Sequence, residues 1–387
     1  MATDFIYLDY AASTPVDPRV VECMRECSEF GFANPSSNHV AGRLSRANIE
    51  RAAEQLAALL NVDPANLIWT SGATESDNLG IAGAARFRSH RGKHLVTLLT
   101  EHKAVTDVFR MLEKQGFEVT WLKPAEDGRL DPATFAAALR EDTQLASIMY
   151  VNNETGVMQD IEAIGSICRE HDVLLHVDAA QAVGKIAIDL QALPVDLLSL
   201  TAHKFYGPKG IGALYIADRP GCHVEPILFG GGQQRRIRPG TLPADLIAGL
   251  GLAAEIAQSR IDADLGHLNN LRRRLWAGIQ DIDGVLVNGD IESGFPGILN
   301  VSALDVEGES LLLELEPFCV ATGSACNSKS QEPSYVLRAL GRSDLLAQSA
   351  IRFSMGRPTT EDEVELAARR YREAIGRLRD LAPAAAS

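Results

Sequence analysis

The sequence predicts an α/β protein built around a parallel sheet. Short apolar runs alternate with helical patterns, and each run ends in polar residues that are capable of chemistry. The apolar runs that we interpret as strands are 67–70, 95–100, 146–151, 173–177 and 195–200. Parallel strands end at the same edge of their sheet, where open α/β sheets bind ligands. The pattern therefore predicts one polar site at that edge.

The remaining elements follow from spacing. Apolar residues such as Ile49, Leu56 and Leu60 recur at helical intervals within 45–61. Further helices are expected at 17–30, 244–260 and 361–381, and further strands within 5–15 and at 213–216, 298–301 and 350–354. A chain of 387 residues exceeds what one core normally holds. We predict a large domain over 15–260 and a small domain made of 1–14 and 261–387.

Composition excludes several classes of protein. The net charge of −14 argues against a general nucleic-acid or anionic-membrane surface, so no nucleic acid or membrane partner is expected. No apolar run approaches the ~20 residues of a membrane span, and the first residues lack signal-peptide features. A cytoplasmic location is expected. The six cysteines form no CxxC pair, so we expect neither a disulfide framework nor a metal site.

Lys204 follows the last strand of the series, directly before a Gly/Pro turn. A lysine delivered to a sheet edge can form a Schiff base with a carbonyl cofactor, and pyridoxal phosphate (PLP) is the obvious one. The alternative is a surface lysine in a loop, which is the commoner situation for a single lysine.

Other strand ends could meet the remaining needs of PLP. Asp178 could hold the pyridine nitrogen protonated, or it could be only a helix N-cap. Gly72, Ala73 and Thr74 precede a helix and could bind phosphate through backbone N–H groups and a hydroxyl, or they could form a capped turn. His102 could stack on the ring or move protons, or it could be a structural histidine.

Cys326 lies in a polar stretch at 321–333, where a thiol would be accessible. Cysteine reactivity depends on thiolate character and access. Spacing alone favours a functional and a non-functional thiol equally.

Taken together, the motifs resemble one known family over nearly the whole chain. They are Tyr7-Leu-Asp-Tyr10, Asn34-Pro-Ser-Ser37, Thr70-Ser-Gly-Ala-Thr-Glu-Ser76, Thr100-Glu-His-Lys103, Val151-Asn-Asn-Glu154, His176-Val-Asp-Ala179, His203-Lys204, Arg238-Pro-Gly-Thr241, Ser324-Ala-Cys326 and Ile351-Arg-Phe-Ser354. The sequence resembles the PLP-dependent cysteine desulfurases, and is most similar to the housekeeping type. The resemblance implies PLP fold-type I, as in aspartate aminotransferase, with a mostly parallel seven-stranded sheet in the large domain and a smaller α/β domain. It also implies a homodimer.

The resemblance further implies roles around the cofactor. Lys204 would carry PLP and remove the substrate Cα proton. Asp178 would pair with the pyridine nitrogen, Gln181 would bond the ring oxygen, and His102 would stack on the ring and take part in catalysis. The phosphate would be held by Ala73, Thr74, Thr201, His203 and, from the partner subunit, Thr241.

Substrate contacts are implied in the same way. Asn153, which also lies against the cofactor, and Arg352 would bind the carboxylate of L-cysteine, with help from Asn34. Cys326 would attack the substrate sulfur and become a persulfide, leaving L-alanine. The sulfur would pass to an acceptor protein, such as an iron–sulfur scaffold or a sulfur carrier, for iron–sulfur cluster assembly or tRNA thiolation.

Four alternatives remain open at this stage. The fold also suits an aminotransferase, which would not need Cys326. Selenocysteine lyases, and desulfurases that serve one specialised sulfur pathway, would share both the fold and the loop cysteine. A carrier built on a decayed PLP fold would not need Lys204, Asp178, His102 and Cys326 together.

The sequence departs from the housekeeping pattern at three places. Pro239 stands where serine is usual and removes a backbone donor near Thr241. The run 327–331 after Cys326 is less rich in small residues than usual. The chain ends at Ser387, so weaker docking to the usual iron–sulfur scaffold is expected than in relatives with a tail.

Overall fold

The computed structural model describes residues 5–322 and 332–381. The strands are β1 (Ile6–Tyr7), β2 (Leu67–Thr70), β3 (His94–Leu98), β4 (Glu118–Leu122), β5 (Thr143–Ser147), β6 (Leu174–Asp178), β7 (Leu197–Thr201), β8 (Gly212–Ile216), β9 (Val285–Val287), β10 (Ile298–Ala303), β11 (Phe318–Cys319), β12 (Ala321–Thr322) and β13 (Ile351–Ser354).

Helices cover the sheets and connect them. They are α1 (Pro18–Phe30), α2 (Val40–Leu60), α3 (Ala73–Asp77), α4 (Gly83–Phe87), α5 (Lys103–Lys114), α6 (Pro132–Ala137), α7 (Ile161–Glu170), α8 (Ala244–Gln258), α9 (Ile261–Ala277), α10 (Gly308–Glu314), α11 (Tyr335–Ala339), α12 (Asp344–Gln348) and α13 (Glu361–Leu381). A π-helical turn, Asn78–Ala82, joins α3 to α4. Within the described residues no helix is long and apolar enough to cross a membrane.

The central sheet has seven strands in the order β2-β8-β7-β6-β5-β3-β4. Strand β8 is antiparallel to both of its neighbours, and every other neighbouring pair is parallel. Because two reversals restore the direction, β2 runs the same way as β7. The strands that end in polar residues therefore all end at one edge. The predicted α/β class with a mostly parallel seven-stranded sheet is confirmed.

The central strands of the sheet are covered on both faces. Strands β5, β6 and β7 are buried at every position, as is usual where helices cover both faces of a parallel sheet. Buried His176 links three of them, since its ring nitrogens lie 2.8 Å from Ser147 Oγ and 2.9 Å from Ser199 Oγ. Burial lowers the pKa of His176 to about 3, so the ring is neutral and its polar atoms are satisfied inside the core.

Two small sheets involve the final third of the chain. Strands β12, β13, β10 and β9 form an antiparallel sheet, and β1 pairs with β11 in parallel. Ile6 is in register with Phe318, so the first described segment packs against the last third. The domain boundaries at 14 and 261 stay a prediction.

The observed elements differ from the sequence prediction at the start of helix α2 and at the edge strand β4. Helix α2 begins at Val40, not at 45, because His39 Nδ1 accepts a hydrogen bond from Gly42 N and starts the helix earlier. Strand β4 was not anticipated. It is an edge strand with several half-exposed residues, so it lacks the continuous apolar run of its neighbours.

Candidate active site

A cavity of about 580 Å³ lies at the carboxyl edge of the seven-stranded sheet. Most of the predicted site residues line it. These are Ala73, Thr74, His102, Asn153, Asp178, Gln181, Thr201, His203, Lys204 and Arg352. They come from the ends of β2, β3, β5, β6 and β7 and from β13, so the convergence of parallel strand ends places them in one space.

Two of the predicted site residues lie elsewhere. Asn34 and Thr241 line a separate cavity of about 430 Å³ within the same chain. Asn34 lies between α1 and α2, where its Oδ1 accepts from Ser36 N at 2.9 Å and shapes a turn. Cys326 lies outside the described residues.

Lys204 ends a short 3-10 turn that follows β7 directly. Its Nζ donates to the carbonyl oxygens of Ala11 at 2.6 Å and Ala12 at 2.8 Å. The half-buried amine is thus held at the cavity wall by backbone acceptors from the N-terminal segment. These two carbonyl contacts orient the nitrogen at the cavity wall.

Asp178 is the last residue of β6 and is only 5% exposed. Its Oδ1 accepts from Ala180 N at 2.9 Å. Burial raises the pKa of this carboxyl, and the opposing influences of His102, the Ala180 N–H and Lys204 are smaller. The residues after it form turns and not a helix, so Asp178 is not a helix N-cap. A buried carboxyl of this kind gains stability from a cationic ring nitrogen beside it.

His102 precedes α5 and caps it. Its Nδ1 accepts from Ala104 N at 3.1 Å. Burial lowers the pKa of the ring, and Lys204 and Lys103 lower it further against the opposing charge of Asp178. The imidazole is therefore neutral, with its proton on Nε2, because Nδ1 serves as an acceptor.

The start of α3 forms an anion cradle. Gly72 has φ +151°, a conformation that side chains rarely adopt, and a Cβ there would lie 3.6 Å from Thr201 Oγ1. The first N–H groups of a helix lack internal partners and face outward with the positive end of the dipole. The hydroxyls of Thr74 and Thr201 line the same cavity. Burial, with Lys204, lowers the pKa of His203 to about 4, so this ring is neutral.

Arg352 brings a cation into the cavity from β13. Its Nη1 donates to Asn153 O at 2.8 Å, and its Nη2 donates to Asp9 Oδ1 at 2.6 Å. Its Nε is buried and has no hydrogen-bond partner among residues 5–322 and 332–381. A fixed guanidinium with a spare donor is suited to a carboxylate. Sequence reasoning missed Asp9, although its motif Tyr7-Leu-Asp-Tyr10 was noted.

The sequence indicated no role for Glu154, although the motif Val151-Asn-Asn-Glu154 contains it. It lines the 580 Å³ cavity and an adjoining cavity of about 680 Å³. Ser334 Oγ donates to its Oε2 at 2.5 Å, and Ser334 also caps α11. Burial raises the pKa of Glu154 to about 7, against the opposing influence of Ser334, Arg352 and Lys103.

These residues together define a class of enzyme. An oriented lysine amine, a buried carboxyl group and a helix start suited to phosphate, all in one cavity, are what PLP requires of a protein, and Arg352 adds a cation to the same cavity. The donor set fits the cofactor: Lys204 for its aldehyde, Asp178 for its ring nitrogen and the α3 start for its phosphate. Among the described residues no cluster of side chains is arranged to hold a metal ion.

Comparison with known proteins places the chain in a family. The sequence model described as aminotransferase class-V matches residues 6–366. The chain belongs to this family, and it is a PLP-dependent enzyme. It is 54% identical over 381 residues to a protein named cysteine desulfurase IscS from Pectobacterium atrosepticum, covering 98% of this chain and 94% of that one. A protein of the same name from Methylococcus capsulatus is 53% identical over 379 residues, with the same coverage.

Solved structures agree with the fold. A structure titled "NifS-like protein" superposes with a TM-score of 0.90 at 34% identity, covering 97% of this chain and 100% of that chain. A structure titled "SspA in complex with cysteine" gives a TM-score of 0.81 at 37% identity, covering 90% and 98%. Both are similar to this chain over nearly all of their length, so the fold-type I architecture expected from the sequence is confirmed.

Proposed function

We propose that this chain is a cysteine desulfurase that converts L-cysteine to L-alanine and takes the sulfur onto Cys326 as a persulfide. The observation that carries the proposal is the meeting of Lys204, Asp178 and Arg352 in one cavity. This geometry allows an α-amino acid to be held by its carboxylate while its α-carbon faces the lysine. L-cysteine is proposed as that amino acid because relatives at 52–54% identity are named cysteine desulfurase.

The cofactor side of the cavity prepares the α-carbon. PLP, when bound, draws electron density away from that carbon. Lys204 would hold the cofactor, and its Nζ, once the substrate amine has replaced it there, would accept the Cα proton. The Asp178 carboxylate would keep the ring nitrogen protonated, and Gln181 and His102 would contact the ring oxygen and the ring face. Ala73, Thr74, Thr201 and His203 would hold the phosphate.

The opposite side holds the substrate. Arg352 binds the cysteine carboxylate with its spare Nε–H, and Asn153 supports it because the Asn153 carbonyl already fixes Arg352 Nη1. Asn153 also lies against the cofactor in this proposal. Asn34, which lines the other cavity of its own chain, would contribute to a substrate site only in a neighbouring copy.

Sulfur transfer follows as a displacement at sulfur. The Cys326 thiolate forms a new S–S bond to the substrate sulfur, and the bond from that sulfur to Cβ breaks. The electron pair stays with the carbon skeleton, which is protonated and released as alanine. The persulfide then gives its outer sulfur to a thiol of an acceptor protein. We propose an iron–sulfur scaffold or a sulfur carrier as that acceptor, in the cytoplasm.

A second copy of the chain is part of the proposal. The aromatic rings of Phe32 and Phe229 are 77% and 86% exposed. Phe32 lines the same cavity as Asn34 and Thr241, and Phe229 lies in the Gly-rich loop that leads to Thr241. In this proposal the two exposed side chains belong to the interface with the second copy. A homodimer that covers them would bring Thr241 to the phosphate of the neighbouring subunit.

One experiment separates the candidates. The purified yellow protein is given L-cysteine with a thiol reductant, and alanine and sulfide are measured. Equal yields of both, with none from Lys204→Ala, support the desulfurase. Transfer of an amino group to a 2-oxo acid without sulfide would support an aminotransferase instead. A much faster reaction with L-selenocysteine than with L-cysteine would favour a selenocysteine lyase, whose fold and loop cysteine would be the same.

A further inference from the structure

Lys185 lies behind the cofactor cavity and is absent from every role described so far. It is half-buried and lines a small cavity of about 30 Å³ together with Lys204. Its Nζ donates to Gln181 Oε1 at 2.5 Å and lies 5.5 Å from the centre of the Phe295 ring. Removing an ammonium group from water costs free energy, so a lysine at this position is expected to have a structural or functional role.

The backbone fixes where this lysine points. Residues 180–185 form consecutive turns, in which Lys185 N donates to Ala182 O at 3.0 Å. Gly184 has φ +74°, and a Cβ on it would lie 2.7 Å from the Phe205 ring. Only glycine fits at this position, so the backbone conformation just before Lys185 is fixed.

Gln181 is held at both ends of its amide. Its Nε2 donates to Ala11 O at 2.7 Å, and its Oε1 accepts from Lys185. The same Ala11 carbonyl accepts from Lys204. A continuous hydrogen-bonded chain therefore runs from Lys185 through Gln181 and Ala11 to Lys204, and Gln181 is only 3% exposed.

We propose that Lys185 is a positioning residue, which fixes the Gln181 amide so that its nitrogen, and not its oxygen, faces the ring oxygen of the cofactor. The inference rests on the proposed function, in which Gln181 contacts that oxygen. A side-chain amide can rotate by 180° with little change in shape. Here the rotated form would set Gln181 oxygen against the Ala11 oxygen and would bring Gln181 N–H groups against those of Lys185. The observed form leaves the second N–H of Nε2 for the cofactor.

Charge supports this assignment. Burial lowers the pKa of Lys185, and the cations Lys204 and Arg352 lower it further. Protonated or neutral, the amine still has N–H groups to donate to Gln181 Oε1. Across the small cavity Asp264 and Arg357 pair with each other at 2.8 Å, so their charges are largely mutually compensated.

The test uses the holoenzyme and two readouts other than turnover: the affinity for PLP and the midpoint pH of the visible absorbance change of the bound cofactor. Lys185→Met removes the donor at similar length. Without Lys185 the Gln181 amide is no longer fixed, and the ring oxygen of the cofactor loses the N–H donor of Gln181. The ring oxygen then becomes a stronger base, so the midpoint pH should rise by about half to one unit. The dissociation constant for PLP should rise by about three- to tenfold. Lys93→Met, at an exposed position, is the matched control and should change neither.

A double-mutant comparison shows whether Lys185 acts through Gln181. Gln181→Met should raise the midpoint by itself, and adding Lys185→Met to it should produce no further rise. Additive shifts, or no shift from Lys185→Met while Gln181→Met shifts, would overturn the inference. No shift from Gln181→Met would overturn the proposed Gln181 contact and the inference with it. Lys185→Leu, which also lacks a donor and is smaller, replaces Lys185→Met if that protein is insoluble.

Discussion

Arg352 and Asp9 are 343 positions apart in the sequence, yet Arg352 Nη2 donates to Asp9 Oδ1 at 2.6 Å across the mouth of the cofactor cavity. The pair joins β13 to the N-terminal segment that follows β1. The same segment supplies the carbonyls that hold Lys204. Arg352 and Lys204, to which we assign the substrate carboxylate and the cofactor, are thus both positioned by one short stretch of chain.

Arg352→Gln should raise the KM for L-cysteine by about 10- to 100-fold, with a smaller change in kcat, because a charged hydrogen bond to the substrate carboxylate is lost. Steady-state kinetics measure this. Asp9→Asn is the matched variant: it still offers an oxygen to Nη2, so its KM should change by less than about threefold. An unchanged KM in Arg352→Gln, or equal changes in the two variants, would contradict the assignment of Arg352 to the carboxylate.

Asp178→Asn should separate activity from stability. Turnover should fall by at least about 100-fold, because the ring nitrogen loses its anionic partner. The cofactor-free variant should be at least as stable as the cofactor-free wild type at pH 8. Burial raises the folded-state pKa of Asp178, so its contribution to stability is full below the unfolded pKa and is lost as pH rises through the folded pKa.

Thermal unfolding without PLP, together with alanine production by the loaded enzyme, checks both halves. Asp107→Asn, on the exposed face of α5, is the control and should leave both unchanged. A loaded Asp178→Asn enzyme that turns over at the wild-type rate would show that Asp178 only shapes its turn.

The sequence predicted the residues at the strand ends better than it predicted the long-range contacts that complete the site. Short-range patterns suffice for Asp178 and Lys204, because Asp178 directly follows an apolar run, Lys204 comes a few residues after the next one, and parallel pairing aligns the strand ends. The direction of β2 relative to β8 and the pairing of Asp9 with Arg352 are long-range. Nothing within a few residues of Asp9 indicates its partner on β13.

The N-terminal segment and Lys185 show the same limit. Lys185 follows Gly184 in a turn, where a lysine is ordinarily a surface residue. Its contact with Gln181 arises only when Phe205 and Phe295 close around the turn. Asn34 shows the reverse case, since its motif predicted a substrate contact but a single chain places it by Thr241 in another cavity.

Glu154→Gln should flatten the dependence of stability on pH. Burial raises the pKa of Glu154 from 4.5 to about 7. Stability from this group is therefore fully present below about pH 4.5 and is lost as pH rises through about 7, a loss of roughly 3 kcal/mol. Glutamine keeps an oxygen for the Ser334 hydroxyl but does not ionise.

Urea unfolding at pH 5 and pH 9 measures the effect. The wild type should lose more free energy of unfolding between these values than Glu154→Gln does. Glu126→Gln, at an exposed position, should behave as the wild type. An equal loss in Glu154→Gln and the wild type would mean that Glu154 does not titrate in this range.

The proposed dimer should be required for cofactor retention. Phe229→Ser combined with Phe32→Ser removes two exposed aromatic side chains from the proposed interface, so the protein should sediment as a monomer and release PLP on dialysis. Thr241→Ala should remain a dimer but bind PLP about three- to tenfold more weakly. A monomer that keeps PLP stoichiometrically would contradict a phosphate contact from the partner.

Cys326→Ala should stop sulfur transfer while leaving the cofactor half of the site intact. The five cysteines within the described residues are poor nucleophiles, because the pKa of each thiol is raised, mainly by burial. They are Cys23, Cys27, Cys168, Cys222 and Cys319. Lys204, Asp178 and the start of α3 are unchanged in this variant, so it should stay yellow and its absorbance should still respond to added L-cysteine. Alanine and sulfide should fall at least about 100-fold, since no thiolate attacks the substrate sulfur. Cys319→Ala, in strand β11, is the matched control and should turn over normally. Alanine release at the wild-type rate from Cys326→Ala, or mass spectrometry that places the persulfide on Cys222 or Cys319, would assign the nucleophile to another thiol.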